Sequence, residues 1–150
     1  MAKITKASDD VIDAVQKVVD SMGLFNYASF FVLNITGQKQ LVKVGKASAT
    51  TEYFSKSSDS VIVYVNEELY GMLEPIQREM LIANALYGVN YDTERDKLNV
   101  AQPELGISLP AYRKYGIELM NAAEAVQLAL QQIKEKEDER KASKKRKKDE

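Results

Sequence analysis

The sequence predicts an α+β fold, with a short, mostly antiparallel sheet packed on helices and a long helix near the C-terminus. Three observations predict this class: an amphipathic helical pattern at the start, three strand-like segments before residue 66, and helical spacing of apolar residues afterwards. A length of 150 residues and a hydrophobic share of 45% suit one domain with an appendage. We expect a domain over residues 1–117, a helix over 118–134 and a charged tail over 135–150.

The first expected element is a helix over Ser8–Met22. Ser8 stands at its N-cap, and Gly23 stands where a left-handed residue commonly ends a helix. The apolar residues that recur at helical spacing are Val11, Val15, Val18, Val19 and Met22. This periodicity predicts one buried face.

Two strands are expected next, over Tyr27–Ile35 and Gln40–Lys46, because both segments are rich in β-branched or aromatic residues. The turn residues 36–39 lie between them, so the pair is predicted to form a hairpin. Residues 47–58 are small and polar and predict a loop. The continuous apolar run Val61–Val65 is typical of a buried strand.

Helical signals follow this strand. Asn66 is placed to cap a short helical segment over Glu67–Leu73. Pro75 suits the first turn of a second helix, which is expected to end near Gly88. Together these signals predict a strand that leads through a short helical turn into a longer helix.

The later part of the domain reads as short elements. Residues 91–100 predict a polar turn followed by a short edge strand. Leu109–Tyr115 predicts a short helix that ends at Gly116.

A long helix is expected from Glu118, with apolar residues at heptad spacing: Leu119, Ala123, Val126, Leu130 and Ile133. We call this set the heptad stripe. Either the stripe packs on its own domain, or it docks on a neighbour, which is a second copy or another protein. In the second case Leu119, Val126, Leu130 and Ile133 are the candidate partner contacts.

The C-terminal tail carries charge and no apolar face. Residues 134–150 contain 9 Lys/Arg and 6 Asp/Glu, so their net charge is +3, against −4 for the rest of the chain. We expect this end to fray or to be disordered on its own. The tail ends in a basic cluster, for which two interpretations are open. It either keeps the chain soluble or contacts nucleic acid or an acidic protein surface. The cluster consists of Lys144, Lys145, Arg146, Lys147 and Lys148.

The composition limits the chemistry. The chain contains no His and no Cys, so it cannot build a disulfide or a Ser-His-Asp triad, and it lacks the main ligands of zinc. We therefore predict no metal site and no cofactor. The sequence also shows neither an apolar run long enough to span a bilayer nor a secretory signal at its start.

The acidic residues offer no replacement site. Glu67, Glu68 and Glu74 are expected to form a solvated face on a short helix. The acidic run that begins at Asp92 lacks the glycine and the glutamate that a calcium-binding EF-hand loop requires, so a polar turn is the better interpretation.

The segment 61–98, VIVYVNEELYGMLEPIQREMLIANALYGVNYDTERDKL, resembles the phage metallopeptidase family, which is zincin-like. In that family a strand leads through a short helical segment into a helix with an HEL-x-H pattern. The resemblance extends to Pro103-Glu104, where the family often shows an HD pair, and to Tyr112–Gly116 (YRKYG). It implies a small zincin-like domain.

This sequence departs from the family at every residue that would carry the chemistry. Asn84 falls at the first His, Ala85 at the Glu and Gly88 at the second His, while Leu86 keeps the Leu. Two His one turn apart hold the metal in a zincin, and the Glu serves as general base. The resemblance therefore implies a pseudoenzyme and not an active peptidase.

The function expected from these patterns is non-catalytic. The chain is expected to be a phage-type protein-interaction or structural component, active in the host cytoplasm and in the virion or its assembly. Its expected partners are further copies of itself or other virion proteins, with no membrane involved. The alternative is a nucleic-acid-associated factor that binds through the basic tail. An enzyme of another chemistry would need a polar site that the sequence does not show.

Overall fold

The structure, a computed structural model, describes residues 3–46, 60–92, 94–95, 97–101 and 107–149. Within these ranges the chain forms a four-stranded sheet, a two-stranded sheet and five helices, which confirms the α+β class and the long C-terminal helix. The strands are β1 (Lys3–Lys6), β2 (Ser29–Thr36), β3 (Val42–Lys46), β4 (Ser60–Val65), β5 (Val89–Asp92) and β6 (Lys97–Val100). The helices are α1 (Asp9–Met22), α2 (Glu67–Tyr70), α3 (Pro75–Leu86), α4 (Leu109–Tyr115) and α5 (Ile117–Asp149).

The larger sheet has the strand order β1-β2-β4-β3. Strand β4 runs parallel to β2 and antiparallel to β3, so it lies between the two strands that were expected to form a hairpin. The hairpin prediction is therefore wrong. The physical reason lies in β4 itself, because its apolar run pairs along its length with a strand on each side and buries Val61, Val63 and Val65 on one face.

The main core lies on one face of this sheet. Val61, Val63 and Val65 of β4 are fully buried there, against the buried valines of α1 and against Ile82 and Leu86 of α3. The two helices thus form a layer over the sheet, which gives the two-layer arrangement that the helical periodicity of α1 predicts.

Caps fix the ends of the helices. Asn66 caps α2, because its Oδ1 accepts hydrogen bonds from the N–H groups of Glu68 and Leu69. Gly23 ends α1 in the left-handed region with φ 70°. Ser8 occupies the N-cap position of α1 without a side-chain capping bond, and its N–H donates to the Glu67 carboxylate at 2.7 Å. These contacts tie the start of α1 to the start of α2.

The small sheet is the hairpin β5–β6, and α4 ends at Gly116 as expected. In the hairpin turn, Asp92 Oδ1 accepts from the N–H groups of Glu94 and Arg95, so the predicted polar turn is confirmed. The predicted loop at 47–58 and the Pro103-Glu104 pair lie outside the described residues.

Helix α5 continues to Asp149, well past the end of the heptad stripe. Leu119 and Val126 are buried inside the fold, and Leu130 and Ile133 are partly buried against the main core. From Lys134 onwards every side chain that the structure describes is exposed. The fraying or disorder expected for this end stays a prediction. It rests on the lack of tertiary contacts that would support these exposed helical turns.

Candidate functional site

Asn84, the residue that the resemblance aligns with the first His of the zincin pattern, holds two helices together. Asn84 lies on α3 and is 5% exposed, and its Oδ1 accepts a 2.7 Å hydrogen bond from the N–H of Ser108. The Ser108 hydroxyl in turn accepts from the N–H of Ala111 and caps α4. The Asn84 amide therefore fixes the start of α4 against α3, and it acts as a structural acceptor.

The second and third positions also serve the fold. Ala85 is 4% exposed and belongs to the main core. The carbonyl oxygen of Gly88 accepts a 2.9 Å hydrogen bond from the N–H of Ala101, at the end of β6. A Cβ atom added to Gly88 would collide with the Ala101 carbonyl oxygen. The backbone approach that closes the β5–β6 hairpin onto α3 therefore leaves no room for a side chain at residue 88.

These residues do not fit a zinc ion. Asn84 supplies a neutral amide oxygen that already accepts from Ser108, Ala85 supplies no general base, and position 88 has no space for an imidazole. Across the described ranges, no three His, Cys, Asp or Glu side chains lie close enough together to hold a metal ion.

A cleft of about 400 Å³ opens beside Asn84. It lies between α3, α5 and the segment Lys39–Val42 that leads into β3. Apolar side chains such as Leu41, Leu81 and Val126 form much of its wall. Among the described residues that line the cleft, Lys39 and Glu124 are the ionisable ones, and both are exposed. The described part of the wall can therefore accommodate an apolar group.

The structure separates the residues that the sequence singled out. For the heptad stripe it favours packing on its own domain, because Leu119 and Val126 have almost no free surface. The basic cluster lies farther along α5, and Lys144 is about 26 Å from Gln127 in the wall of the cleft at the helical rise of 1.5 Å per residue. The cleft and the cluster are therefore independent surfaces.

One apolar surface was not predicted from the sequence, and it lies on the face of the larger sheet that points away from the main core. Strand register places its members on one side of the sheet, and none of them belongs to a core cluster of the described residues. We call this surface the outer face, and it consists of Ile4, Phe31, Leu33, Ile35, Ile62 and Tyr64. Ile4 is 55% exposed and Phe31 is 41% exposed. The sequence of β2, SFFVLNIT, could have indicated this surface, because apolar residues occur on both faces of the strand.

Lysines border the outer face on both edges. Lys6 of β1, Leu33 of β2, Tyr64 of β4 and Lys43 of β3 form one row across the four strands. Both lysines are exposed. The outer face is thus an apolar centre between two positive edges.

Comparisons with protein-family models, with curated proteins and with solved structures found no match. Among the residues that the structure describes, no helix is both long enough and apolar enough to cross a membrane.

Proposed function

We propose that this chain is a non-catalytic protein-interaction component of phage type, built on a degenerate metallopeptidase scaffold and used in the virion or its assembly. One observation carries the non-catalytic part. The three positions that the family resemblance assigns to metal ligands and base are occupied by a hydrogen-bonded Asn84, a core Ala85 and a Gly88 that has no space for a side chain.

The outer face is the interaction surface in this proposal. Exposed apolar patches rimmed by polar residues commonly mark protein–protein contacts. The sheet buries its opposite face in the main core, whereas no residue of the outer face belongs to a core cluster of the described residues. The heptad stripe is less suited to this purpose, because Leu119 and Val126 already pack inside the domain.

Charge selects the kind of partner. In a face-to-face pair of two copies, Lys6 and Lys43 of one sheet would lie against lysines of the other, and like charges in contact disfavour association. A partner that brings an apolar helix face with acidic flanks complements both the centre and the edges. We therefore propose a hetero-partner with an acidic, amphipathic helix.

Two labelled helical peptides test this surface. Both carry the same leucine stripe, which is flanked by glutamates in one peptide and by lysines in the other. The full chain is expected to be monomeric by light scattering and to bind the glutamate-flanked peptide in fluorescence anisotropy. The variant Lys6→Glu/Lys43→Glu should instead prefer the lysine-flanked peptide. Adding Phe31→Ser should weaken peptide binding both in the original chain and in this charge-reversed variant. Phe25→Ser is the control, because Phe25 is 56% exposed but lies outside the outer face. Binding that ignores the flanking charges, or that Phe31→Ser leaves intact, would overturn the assignment.

A further inference from the structure

The continuation of α5 to Asp149 sorts the charges of the tail onto different sides of one helix. At 100° per residue, eight of its nine basic residues fall within about half of the circumference. These eight, which we call the basic face, are Lys134, Lys136, Arg140, Lys141, Lys144, Lys145, Lys147 and Lys148. The opposite half carries Glu135, Asp138, Glu139 and Arg146. A run that looks mixed in sequence therefore becomes a helix with one positive side.

The basic face is available for binding. Every one of its side chains is exposed, and the one ion pair among the described residues joins Arg95 to Asp92, far away in the β5–β6 turn. Glu137 is the single acidic residue within the basic face. The segment from Lys134 to Asp149 extends over about 24 Å at the helical rise, which matches roughly seven base-pair steps of a DNA duplex.

The lack of apolar anchors indicates whether the negatively charged partner is a protein or a nucleic acid. From Lys134 to Lys148 the one apolar residue is Ala142, which lies on the half opposite the basic face. Protein–protein interfaces draw most of their affinity from buried aromatic and aliphatic anchors, whereas phosphate backbones are bound by charge alone. We propose that the basic face of α5 binds the phosphate backbone of nucleic acid without sequence preference, independently of the outer face.

A matched pair of single variants tests the proposal in the full chain. Lys144→Gln and Arg146→Gln remove the same charge two residues apart, on opposite sides of α5. Binding to a labelled 20-base-pair DNA duplex is measured by anisotropy over a salt series. Lys144→Gln should lower the slope of log K against log salt by about 1, as expected for one lost phosphate contact, and Arg146→Gln should leave the slope unchanged. The triple variant Lys141→Gln/Lys144→Gln/Lys148→Gln should lower affinity at least tenfold in low salt.

Ala142→Pro tests whether binding to DNA needs the helical arrangement of the charges or only the charges themselves. The substitution interrupts the exposed part of α5 without changing net charge, and the packed part before Lys134 stays intact. Circular dichroism should show a partial loss of helix, and duplex affinity should fall. The proposal is overturned by any of three results: unchanged affinity in Ala142→Pro, equal effects of the Lys144 and Arg146 variants, or binding to poly-glutamate in preference to both duplex and single-stranded DNA.

Discussion

The N–H of Ala101 donates a hydrogen bond to the carbonyl oxygen of Gly88, and the Ala101 carbonyl oxygen fills the space where a side chain on Gly88 would begin. This contact closes the β5–β6 hairpin onto the end of α3. It also lies at the position where the family resemblance calls for a metal-binding imidazole. The fold and a zinc site therefore make incompatible demands on one residue.

Gly88→Ala is expected to destabilise the chain, because the added methyl group must displace the backbone of Ala101. Overpacking of this kind costs typically about 1–3 kcal/mol, and a displaced backbone puts the cost at the upper end. Urea unfolding followed by circular dichroism measures the change. Gly71→Ala is the control, since a Cβ there would lie 3.6 Å from the Glu67 carbonyl oxygen, which is an ordinary contact. A Gly88→Ala variant as stable as Gly71→Ala would contradict the close approach.

Asn84→Ala should cost about 1 kcal/mol, because the partly buried N–H of Ser108 loses its acceptor. Hydrogen exchange gives the sharper measurement, since protection of the Ser108 amide should fall more than protection within β4. Asn121→Ala serves as the control on an exposed face of α5 and should change stability by less than about 0.5 kcal/mol. Equal effects of the two substitutions would remove the structural role given to Asn84.

Two leucines on α5 test where the heptad stripe packs. Leu119 is fully buried and Leu128 is 62% exposed. Leu119→Ala should destabilise the chain by about 2–5 kcal/mol, through lost burial and the cavity left behind, whereas Leu128→Ala should be nearly neutral. Thermal and urea unfolding of the two variants decide the point. If Leu119→Ala left stability unchanged and altered only association, the stripe would be an intermolecular contact after all.

Asn66→Ala should also be costly, because one buried side chain satisfies two parts of the chain. Asn66 caps α2 through its Oδ1, and its Nδ2 donates a 2.8 Å hydrogen bond to the carbonyl oxygen of Gln38. Loss of the cap and of the partner for Gln38 together should cost about 2–4 kcal/mol in urea unfolding. Ser108→Ala removes a single capping bond at a partly exposed site and should cost about 1 kcal/mol. The reverse order of the two effects would show that the Gln38 contact contributes little.

Much of the fold could be predicted from local signals in the sequence. The valines of α1, the Asn66 cap, Pro75 at the start of α3 and Gly116 at the end of α4 each act within a few residues, so their structural meaning is visible in the sequence. The long helix was also evident from its spacing. These elements are those in which local preference and tertiary structure agree.

Long-range contacts account for what was missed. Strand β1 has four exposed residues and pairs with β2 across about thirty positions of sequence, so no local pattern marks it. The order β2-β4-β3 depends on where β4 finds its neighbours, which turn chemistry between β2 and β3 does not reveal. The meeting of Gly88 with Ala101 likewise requires the hairpin between them to form. The resemblance named residues 84, 85 and 88, but their contacts in the fold could not be predicted from sequence.

A zinc-binding measurement checks whether residues 84, 85 and 88 can take part in a metal site. The full chain, purified and dialysed against zinc, is analysed for bound metal and for a shift of its unfolding midpoint. We predict no stoichiometric zinc and an unchanged unfolding midpoint. Asn84 already accepts a hydrogen bond, Ala85 is buried in the core, and Gly88 has no space for a side chain. One tightly bound zinc per chain, with a raised midpoint that Asn84→Ala abolishes, would contradict this prediction.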